Sequence, residues 1–275
     1  MRPFNLAHLT LSAPPAESIA AAKAAGFDAL GIRIAPRRPD EPYPVQVIGA
    51  PATIRAIREQ ARDAGVTIAN VQAYQFFPDT RDQDMRAMID ATHALGVRTI
   101  LAYSFDPDEA RFLERFGRYC DTARAAGIHI AVEFLPYSQI RDLSGALQII
   151  EKSGATNAGV CIDALHLHRS GGSVSDVRRL DPNRISLVQL CDARQSDRPM
   201  SGQELMTEAR TGRLPLGAGI LPLFDLLDAL PADVEIEYEL APAERAGMSP
   251  LDKARAARAD LARFARAYDA HCARR

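Results

Sequence analysis

Val160-Cys161-Ile162-Asp163-Ala164-Leu165-His166 is an apolar run that ends in an acid, with a histidine three positions further on. Consecutive β-branched and apolar residues are typical of a strand buried on both faces, as in a parallel sheet. Such a strand would present Asp163 and His166 at its carboxyl end. Taken alone, the pair fits a helix cap beside a core histidine equally well.

Three other apolar runs end in an oxygen-bearing side chain in the same way. They are Ile130-Ala131-Val132-Glu133, Ile185-Ser186-Leu187-Val188-Gln189 and Ile236-Glu237-Tyr238-Glu239. The carboxyl ends of parallel strands meet at one edge of a sheet or one mouth of a barrel. We therefore predict that Glu133, Asp163, Gln189 and Glu239 converge on one site.

A repeated phrase organises the first half of the chain. Ala- and Arg-rich helical stretches end at Gly26, Gly65, Gly96 and Gly127, and each glycine precedes an apolar run. Glycine is favoured just beyond a helix because it adopts positive φ at little cost. The glycines are 39, 31 and 31 residues apart, which is the length of one helix-plus-strand unit.

Counting such units gives eight strands and eight helices. Strands are predicted at 4–9, 27–33, 66–72, 97–103, 129–134, 158–163, 185–190 and 234–239. Helices are predicted at 15–25, 48–64, 82–95, 107–126, 142–153, 174–181, 220–230 and 249–271. The fold class predicted is α/β, a single-domain (β/α)8 TIM barrel over residues 1–275.

An open, doubly wound sheet is less consistent with the sequence, since it would carry a glycine-rich turn after the first strand. Here that strand runs into residues 11–15, which contain two prolines and no glycine. Two long connections, 35–44 and 193–219, follow strands, so they are expected at the carboxyl face, where substrate-contacting loops lie.

Composition limits the function classes. The net charge is -2, so no basic surface indicates nucleic-acid binding. No apolar run approaches the roughly 20 residues of a membrane span, and the first residues lack a signal sequence. None of the four cysteines forms a CxxC pair, which favours reduced thiols. We expect a cytoplasmic protein with a small-molecule substrate, no nucleic-acid or membrane partner, and possible homo-oligomer formation.

Converging carboxylates repel one another unless a cation neutralises them. Oxygen ligands with one neutral amide suit a hard divalent ion, Mn²⁺ or Mg²⁺, with Zn²⁺ and Co²⁺ possible. Alternative interpretations exist for single positions: Glu133 could simply end a strand, and Gln189 could be a buried amide. On the last strand Glu235, Glu237 and Glu239 share one face, and Glu239 is preferred because it comes last.

Further side chains at the predicted mouth are candidates for binding substrate. His166 is expected to contact substrate or to shuttle a proton, whereas His168 and Arg169 are expected to be exposed. Candidate substrate contacts at strand ends or in the long loop are His8, Arg33, Gln72, Tyr74, Tyr103, Arg194 and Arg213. His8 could equally be a core residue.

These patterns resemble the xylose isomerase-like TIM-barrel superfamily of sugar phosphate isomerases and epimerases. The matching phrases are Ala-Val-Glu133-Phe, Ile-Asp163-Ala-Leu-His166, Val-Gln189-Leu-Cys-Asp192, Arg213-Leu-Pro-Leu-Gly217-Ala-Gly219 and Glu237-Tyr-Glu239. The resemblance implies metal ligation by Glu133, Asp163, Gln189 and Glu239. Gln189 departs from the usual His, as in some members that resemble 3-dehydroshikimate dehydratases, and Cys191 stands where many relatives have Lys.

The resemblance implies a metal-dependent isomerase or epimerase that acts on a keto sugar, sugar phosphate or related polyol through an enediolate. Glu133 and Glu239 would exchange the proton next to the carbonyl, and His166 would hold a substrate oxygen. A lyase of the 3-dehydroshikimate dehydratase type and a non-catalytic barrel are alternatives. A repair nuclease is disfavoured, because six histidines are too few for a three-zinc cluster.

Overall fold

Eight parallel strands pair in chain order and close into a barrel, as the computed structural model shows for the described residues, 3–38 and 41–274. The strands are β1 (Asn5–Leu6), β2 (Ala29–Ile32), β3 (Thr67–Phe76), β4 (Thr99–Ser104), β5 (His129–Glu133), β6 (Ala158–Asp163), β7 (Ile185–Leu190) and β8 (Ile236–Tyr238). The closed order confirms the predicted (β/α)8 fold class.

Helices alternate with the strands and cover the outside of the barrel. The α-helices are α1 (His8–Leu11), α2 (Pro15–Ala24), α3 (Pro51–Ala64), α4 (Asp82–Leu95), α5 (Glu109–Ala125), α6 (Leu143–Ser153), α7 (Ala164–Arg169), α8 (Val174–Arg178), α9 (Gly202–Thr207), α10 (Leu223–Ala229) and α11 (Pro250–Cys272). Short 3-10 turns lie at Pro182–Arg184 and Ala243–Arg245, and a π-helical turn lies at Glu208–Gly212. Among the described helices, none is long and apolar enough to cross a membrane.

The observed bounds of β1, β3 and β8 differ from the predicted ones. The first strand is only two residues long, because the chain turns into α1 at His8. Strand β3 continues four residues beyond its predicted end, to Phe76. The last strand ends at Tyr238, which leaves Glu239 one residue past it. Within β3 the alternation of side chains is interrupted, because Gln72 joins the polar interior and the next residue, Ala73, lies in the interior apolar layer.

Two connections contain helices that the sequence pattern did not reveal. Helix α7 directly follows β6, and the Asp163 side chain caps it by accepting the His166 N–H. The loop after β7 contains α9, which Ser201 and Glu204 cap reciprocally, and the π-helical turn. Both segments are too short and too polar to show a helical apolar period. Of the predicted loop 35–44, residues 39 and 40 lie outside the described residues.

Two faces of the sheet are buried in different ways. Outward-facing side chains of the strands join one large apolar core with the helices. Tyr74 belongs there: its ring stacks on Tyr119 with centroids 4.9 Å apart, so it lies away from the mouth where a substrate contact was predicted. The barrel interior holds a smaller apolar layer of Ala73, Leu101, Ala131, Cys161 and Leu187.

Polar side chains also lie inside the barrel, and glycine makes room for them. Glu237 accepts hydrogen bonds from the amides of Asn70, Gln72 and Gln189. A Cβ atom at Gly31 would lie 2.5 Å from the Gln72 amide and 2.8 Å from a Glu237 oxygen. A larger residue at position 31 would therefore displace this amide–carboxylate network.

Candidate active site and metal centre

The four predicted ligand positions lie together at the carboxyl mouth of the barrel. Glu133 and Asp163 are the last residues of β5 and β6, and Asp163 pairs in register with Gln189 of β7. All four side chains are buried, Glu239 included. Gln189 and Glu239 are in direct contact, with 3.3 Å between the Gln189 amide nitrogen and a Glu239 oxygen.

The side chains of Glu133, Asp163 and His166 form a group that could hold a metal ion. One ligand atom of each lies within 4.8 Å of the others. Asp163 fixes the histidine, because its Oδ1 accepts the backbone N–H of His166 at 3.0 Å. The imidazole Nε2 then lies 3.8 Å from a Glu133 oxygen. Burial lowers the pKa of His166 to about 4, so the ring is neutral at pH 7.

Arg213 lies inside this group of carboxylates rather than at the rim. Its guanidinium is 2.7 Å from an Asp163 oxygen and 2.8 Å from a Glu239 oxygen, and the side chain is only 2% exposed. The same guanidinium donates to the Cys191 sulfur at 3.2 Å. Arg213 was predicted as a substrate contact from its place in a loop, and the structure places it against two predicted metal ligands.

The carboxyl groups differ in their affinity for protons. Burial and the neighbouring Glu239 and Asp163 carboxylates raise the pKa of Glu133 well above its usual value. Burial also raises the pKa of Glu239, to about 7, although Arg213 opposes the shift. Burial acts the same way on Asp163, but Arg213 and His166 outweigh it and lower the pKa to about 2. At neutral pH the site therefore combines an ionised Asp163 with two carboxyl groups that can gain or release protons.

Gln189 acts in this structure as a hydrogen-bond donor to carboxylates. Its amide nitrogen is 3.0 Å from a Glu237 oxygen, and its amide oxygen faces the Cys161 sulfur at 3.6 Å. Burial raises the pKa of Glu237 well above its usual value. Glu237 is therefore held by amides one layer below the mouth, whereas Glu239 faces the pocket.

Asp192 holds the segment that carries Arg213. Its buried carboxylate accepts the backbone N–H groups of Ala193, Gly217, Gly219 and Leu221, at 2.8, 3.1, 2.9 and 2.9 Å. The backbone N–H of Asp192 donates to the Leu214 carbonyl, and the backbone N–H of Leu214 donates to the Asp192 carbonyl. These two hydrogen bonds hold the returning chain beside the end of β7. The motif from Asp192 to Gly219 is thus one folded unit, and Asp192 is a positioning residue that the sequence pattern had not singled out.

An ion pair with α7 also holds the loop after β7 in place. Arg169, at the end of α7, forms an ion pair with Glu208 at 2.7 Å, and the two side chains are only 9% and 10% exposed. The prediction that Arg169 is exposed was wrong, because the loop after β7 folds over it. Arg194 is exposed, and its guanidinium donates to the Gly212 carbonyl at 3.4 Å. Arg194 is not among the described residues that line the pocket at the mouth, where a substrate contact was predicted.

A pocket of about 380 Å³ opens above the carboxylates. The predicted residues that line it are His8, Arg33, Gln72, Tyr103, Glu133, His166, Arg213 and Glu239. Tyr137 also lines it, with its ring 5.7 Å from that of His166, and no sequence pattern had indicated this. Asp163 and Gln189 are fully buried beneath the pocket surface.

The oxygen and nitrogen ligand atoms at the mouth suit a divalent cation. Three buried acidic side chains, Glu133, Asp163 and Glu239, meet at the mouth, whereas one arginine, Arg213, forms ion pairs with two of them. A buried group of carboxylates with uncompensated charge is the environment in which a hard cation binds. The residues at the mouth thus form a candidate metal site.

The closed barrel agrees with what comparison with known proteins shows. The family model described as "Xylose isomerase-like TIM barrel" matches residues 19–266. The chain belongs to this family, and the resemblance drawn from the sequence is confirmed.

Among characterised relatives, an inosose isomerase from Halalkalibacterium halodurans is 24% identical over 119 residues, which are 40% of this chain and 42% of the relative. The match thus spans less than half the length of that relative. The IOLI protein, solved with a bound zinc atom, superimposes with a TM-score of 0.78 at 16% identity over 97% of this chain and 99% of that one. An L-ribulose 3-epimerase superimposes with a TM-score of 0.70 at 16% identity, over 99% and 97%.

Proposed function

We propose that this protein is an isomerase or epimerase that moves a proton at a carbon next to the carbonyl of a keto sugar or related polyol. The observation that carries the proposal is the pair of buried carboxyl groups, Glu133 and Glu239, at one pocket with raised pKa values. The pKa of Glu239 is raised to about 7 and that of Glu133 is raised well above its usual value, and a carboxylate with a raised pKa accepts a carbon-bound proton better than an unperturbed one.

A divalent ion, Mn²⁺ or Mg²⁺ by the hardness of the ligands, would be held by Glu133, Asp163 and Glu239. Gln189 would become the neutral ligand only with its amide turned, because its nitrogen faces Glu239 and its oxygen faces Cys161 in this structure. When bound, the ion would supply Lewis-acid polarisation of the substrate carbonyl. The support from this structure is the closeness of the Glu133 and Asp163 ligand atoms, which lie within 4.8 Å of each other and of a His166 ring nitrogen.

The protein's own groups would share the remaining tasks. Glu133 and Glu239 lie on β5 and directly after β8, so they reach the pocket from different strands of the mouth. One removes the proton from carbon, and the other returns it. His166, neutral and fixed by Asp163, would hydrogen-bond a substrate oxygen. The relatives named as inosose isomerase and L-ribulose 3-epimerase support this class of reaction.

The test is a panel of keto sugars and inososes incubated in D₂O, with and without added Mn²⁺ and with proton exchange followed by NMR. We expect deuterium to enter the carbon next to the carbonyl only with wild-type protein and metal. Glu133→Gln removes the proposed base with little change in shape, so exchange should fall by about 10³-fold or more, while the melting temperature stays close to that of wild type. Exchange that survives this substitution would remove Glu133 from the mechanism.

A lyase of the dehydratase type is the second candidate. The observation that favours it is the neutral Gln189 where the family usually has a histidine, together with the arginine-lined wall of the pocket, which suits an acidic substrate. The same proton removal would then be followed by loss of a β-hydroxyl group. A dehydratase acting on 3-dehydroshikimate creates a new ultraviolet absorbance, whereas an isomerase does not, so one absorbance assay separates the two.

A further inference from the structure

Arg33 is half-buried and differs from the other arginines at the mouth in what it contacts. Arg213 has two carboxylate partners and Arg169 has one. Within the described ranges, no ion pair is formed by Arg33, and its Nη1, a buried atom, has no hydrogen-bond partner. A buried guanidinium nitrogen without a partner costs free energy and indicates a group that arrives from outside.

The fold places Arg33 across the barrel from Asp163. It directly follows β2, and in a closed ring of eight strands β2 lies across the barrel from β6, which ends in Asp163. Glu133, at the end of the neighbouring β5, lines the same pocket as Arg33. A ligand of sugar size can therefore reach both walls at once.

The surroundings of Arg33 also favour an anion. Tyr103 lies next to its guanidinium, and the Tyr43 hydroxyl donates to the Arg33 carbonyl at 2.6 Å, so both phenols help to form this wall. His8, on the same wall, has a pKa that burial and Arg33 lower well below its usual value, so it is neutral. Arg37 and Arg210 line the pocket as well, so that with Arg33 three positive charges face one acidic side chain apart from the carboxyl groups described above, Glu41.

We infer that this wall, centred on Arg33 and Tyr103, is a subsite for an anionic group of the substrate, a carboxylate or a phosphate. The inference rests on the proposed function and narrows it to an acidic sugar or polyol whose carbonyl end lies at Glu133 and Glu239. Arginine suits both oxyanions, because its fork of N–H groups pairs with two oxygens at once. A neutral sugar would leave the Arg33 nitrogen without a charged partner.

Ligand binding and deuterium exchange are measured separately. The anion subsite and the proposed isomerase activity can then each be refuted without the other. Calorimetry compares D-glucose, D-glucuronate and D-glucose 6-phosphate as probes, with wild type, Arg33→Met, and Arg38→Met as the charge-matched control. Arg38 lies over the Phe77 ring, 3.9 Å from its centroid, and lines a neighbouring cavity instead. We expect at least one anionic sugar to bind ten-fold or more tightly than glucose, and the two anions to reveal whether the subsite takes carboxylate or phosphate.

Arg33→Met should abolish this preference, whereas Arg38→Met should retain it. Equal binding of glucose and both anions, no binding of either anion, or a preference that survives in Arg33→Met would overturn the anion subsite. Selective anion binding without any deuterium exchange would contradict the proposed isomerase and leave the subsite standing.

Discussion

At the scale of single residues, the site is governed by how Arg213 pairs with two of three neighbouring carboxyl groups, those of Asp163 and Glu239. Asp163 is paired with Arg213 and stays ionised, whereas Glu133 has no such partner and has a raised pKa. Glu239 lies between these two states, since it contacts Arg213 and has a pKa of about 7. One arginine thus gives similar side chains different protonation states, which acid–base catalysis requires.

Replacing Arg213 with methionine tests this sharing of charge. Asp163 and Glu239 would lose their buried counter-ion, and breaking a buried pair from one side costs about 3–5 kcal/mol. We expect the metal-free variant to unfold at a clearly lower denaturant concentration, and added Mn²⁺ to restore more stability than it adds to wild type. Arg194→Met, exposed in the same loop, is the control and should change stability by less than about 0.5 kcal/mol. Equal stability of the two variants would contradict the role given to Arg213.

At this scale, the face of the strand on which a side chain lies could be predicted from the sequence. The position of a side chain carried by a long loop could not. Period-two alternation puts Glu235, Glu237 and Glu239 on one face, but it does not say which reaches the mouth. The structure distinguishes them, because Glu237 accepts hydrogen bonds from three side-chain amides below the mouth. The position of Arg213 depends on a loop of more than twenty residues after Gln189, and no local pattern encodes its course.

At the scale of elements, the loop after β7 is the part that completes the site. Asp192 accepts four backbone N–H groups and so folds the segment from Ala193 to Leu221 against the strand end. The eight strands could be predicted because each contains an apolar run, and four of these runs directly follow the helix-ending glycines Gly26, Gly65, Gly96 and Gly127. The helices of this loop could not, because their stability comes from caps and from contacts such as Arg169–Glu208 rather than from an apolar face.

Asp192→Asn tests the loop as a unit. The amide offers one acceptor oxygen where the carboxylate offers two, so some of the N–H groups lose their partner, at a cost of about 1–3 kcal/mol. We expect a lower melting temperature and slower deuterium exchange, because Arg213 is no longer held at the carboxylates. Asp197→Asn, at an exposed position of the same loop, should change neither. If both variants behaved alike, Asp192 would have no positioning role.

At the scale of the whole molecule, several acidic side chains are buried inside the barrel. Burying them in the charged form costs free energy of folding. Glu133, Glu237 and Glu239 all have raised pKa values in the folded protein, mainly because of burial. Their pKa values in the unfolded chain are about 4.3. The folded state therefore retains protons that the unfolded state releases, and stability falls as pH rises through the folded pKa values.

This linkage predicts that the metal-free protein becomes more stable as pH is lowered from 8.5 to 7. The lowered pKa of His166, about 4, acts in the opposite sense only below about pH 6.5, so it does not affect that range. Thermal unfolding in EDTA at several pH values measures the slope, and Glu239→Gln should reduce it because that residue titrates near pH 7. A melting temperature that is flat or rises toward pH 8.5 would count against buried, protonated carboxyl groups.

The central claim is that side chains from four neighbouring strands at the barrel mouth bind one divalent ion. Titration calorimetry of Mn²⁺ into metal-free wild type, Asp163→Asn and the control Asp197→Asn tests it most directly. The account predicts one ion per chain for wild type and the control, and binding at least ten-fold weaker for Asp163→Asn. Absence of stoichiometric binding to wild type, or an affinity unchanged by Asp163→Asn, would contradict it.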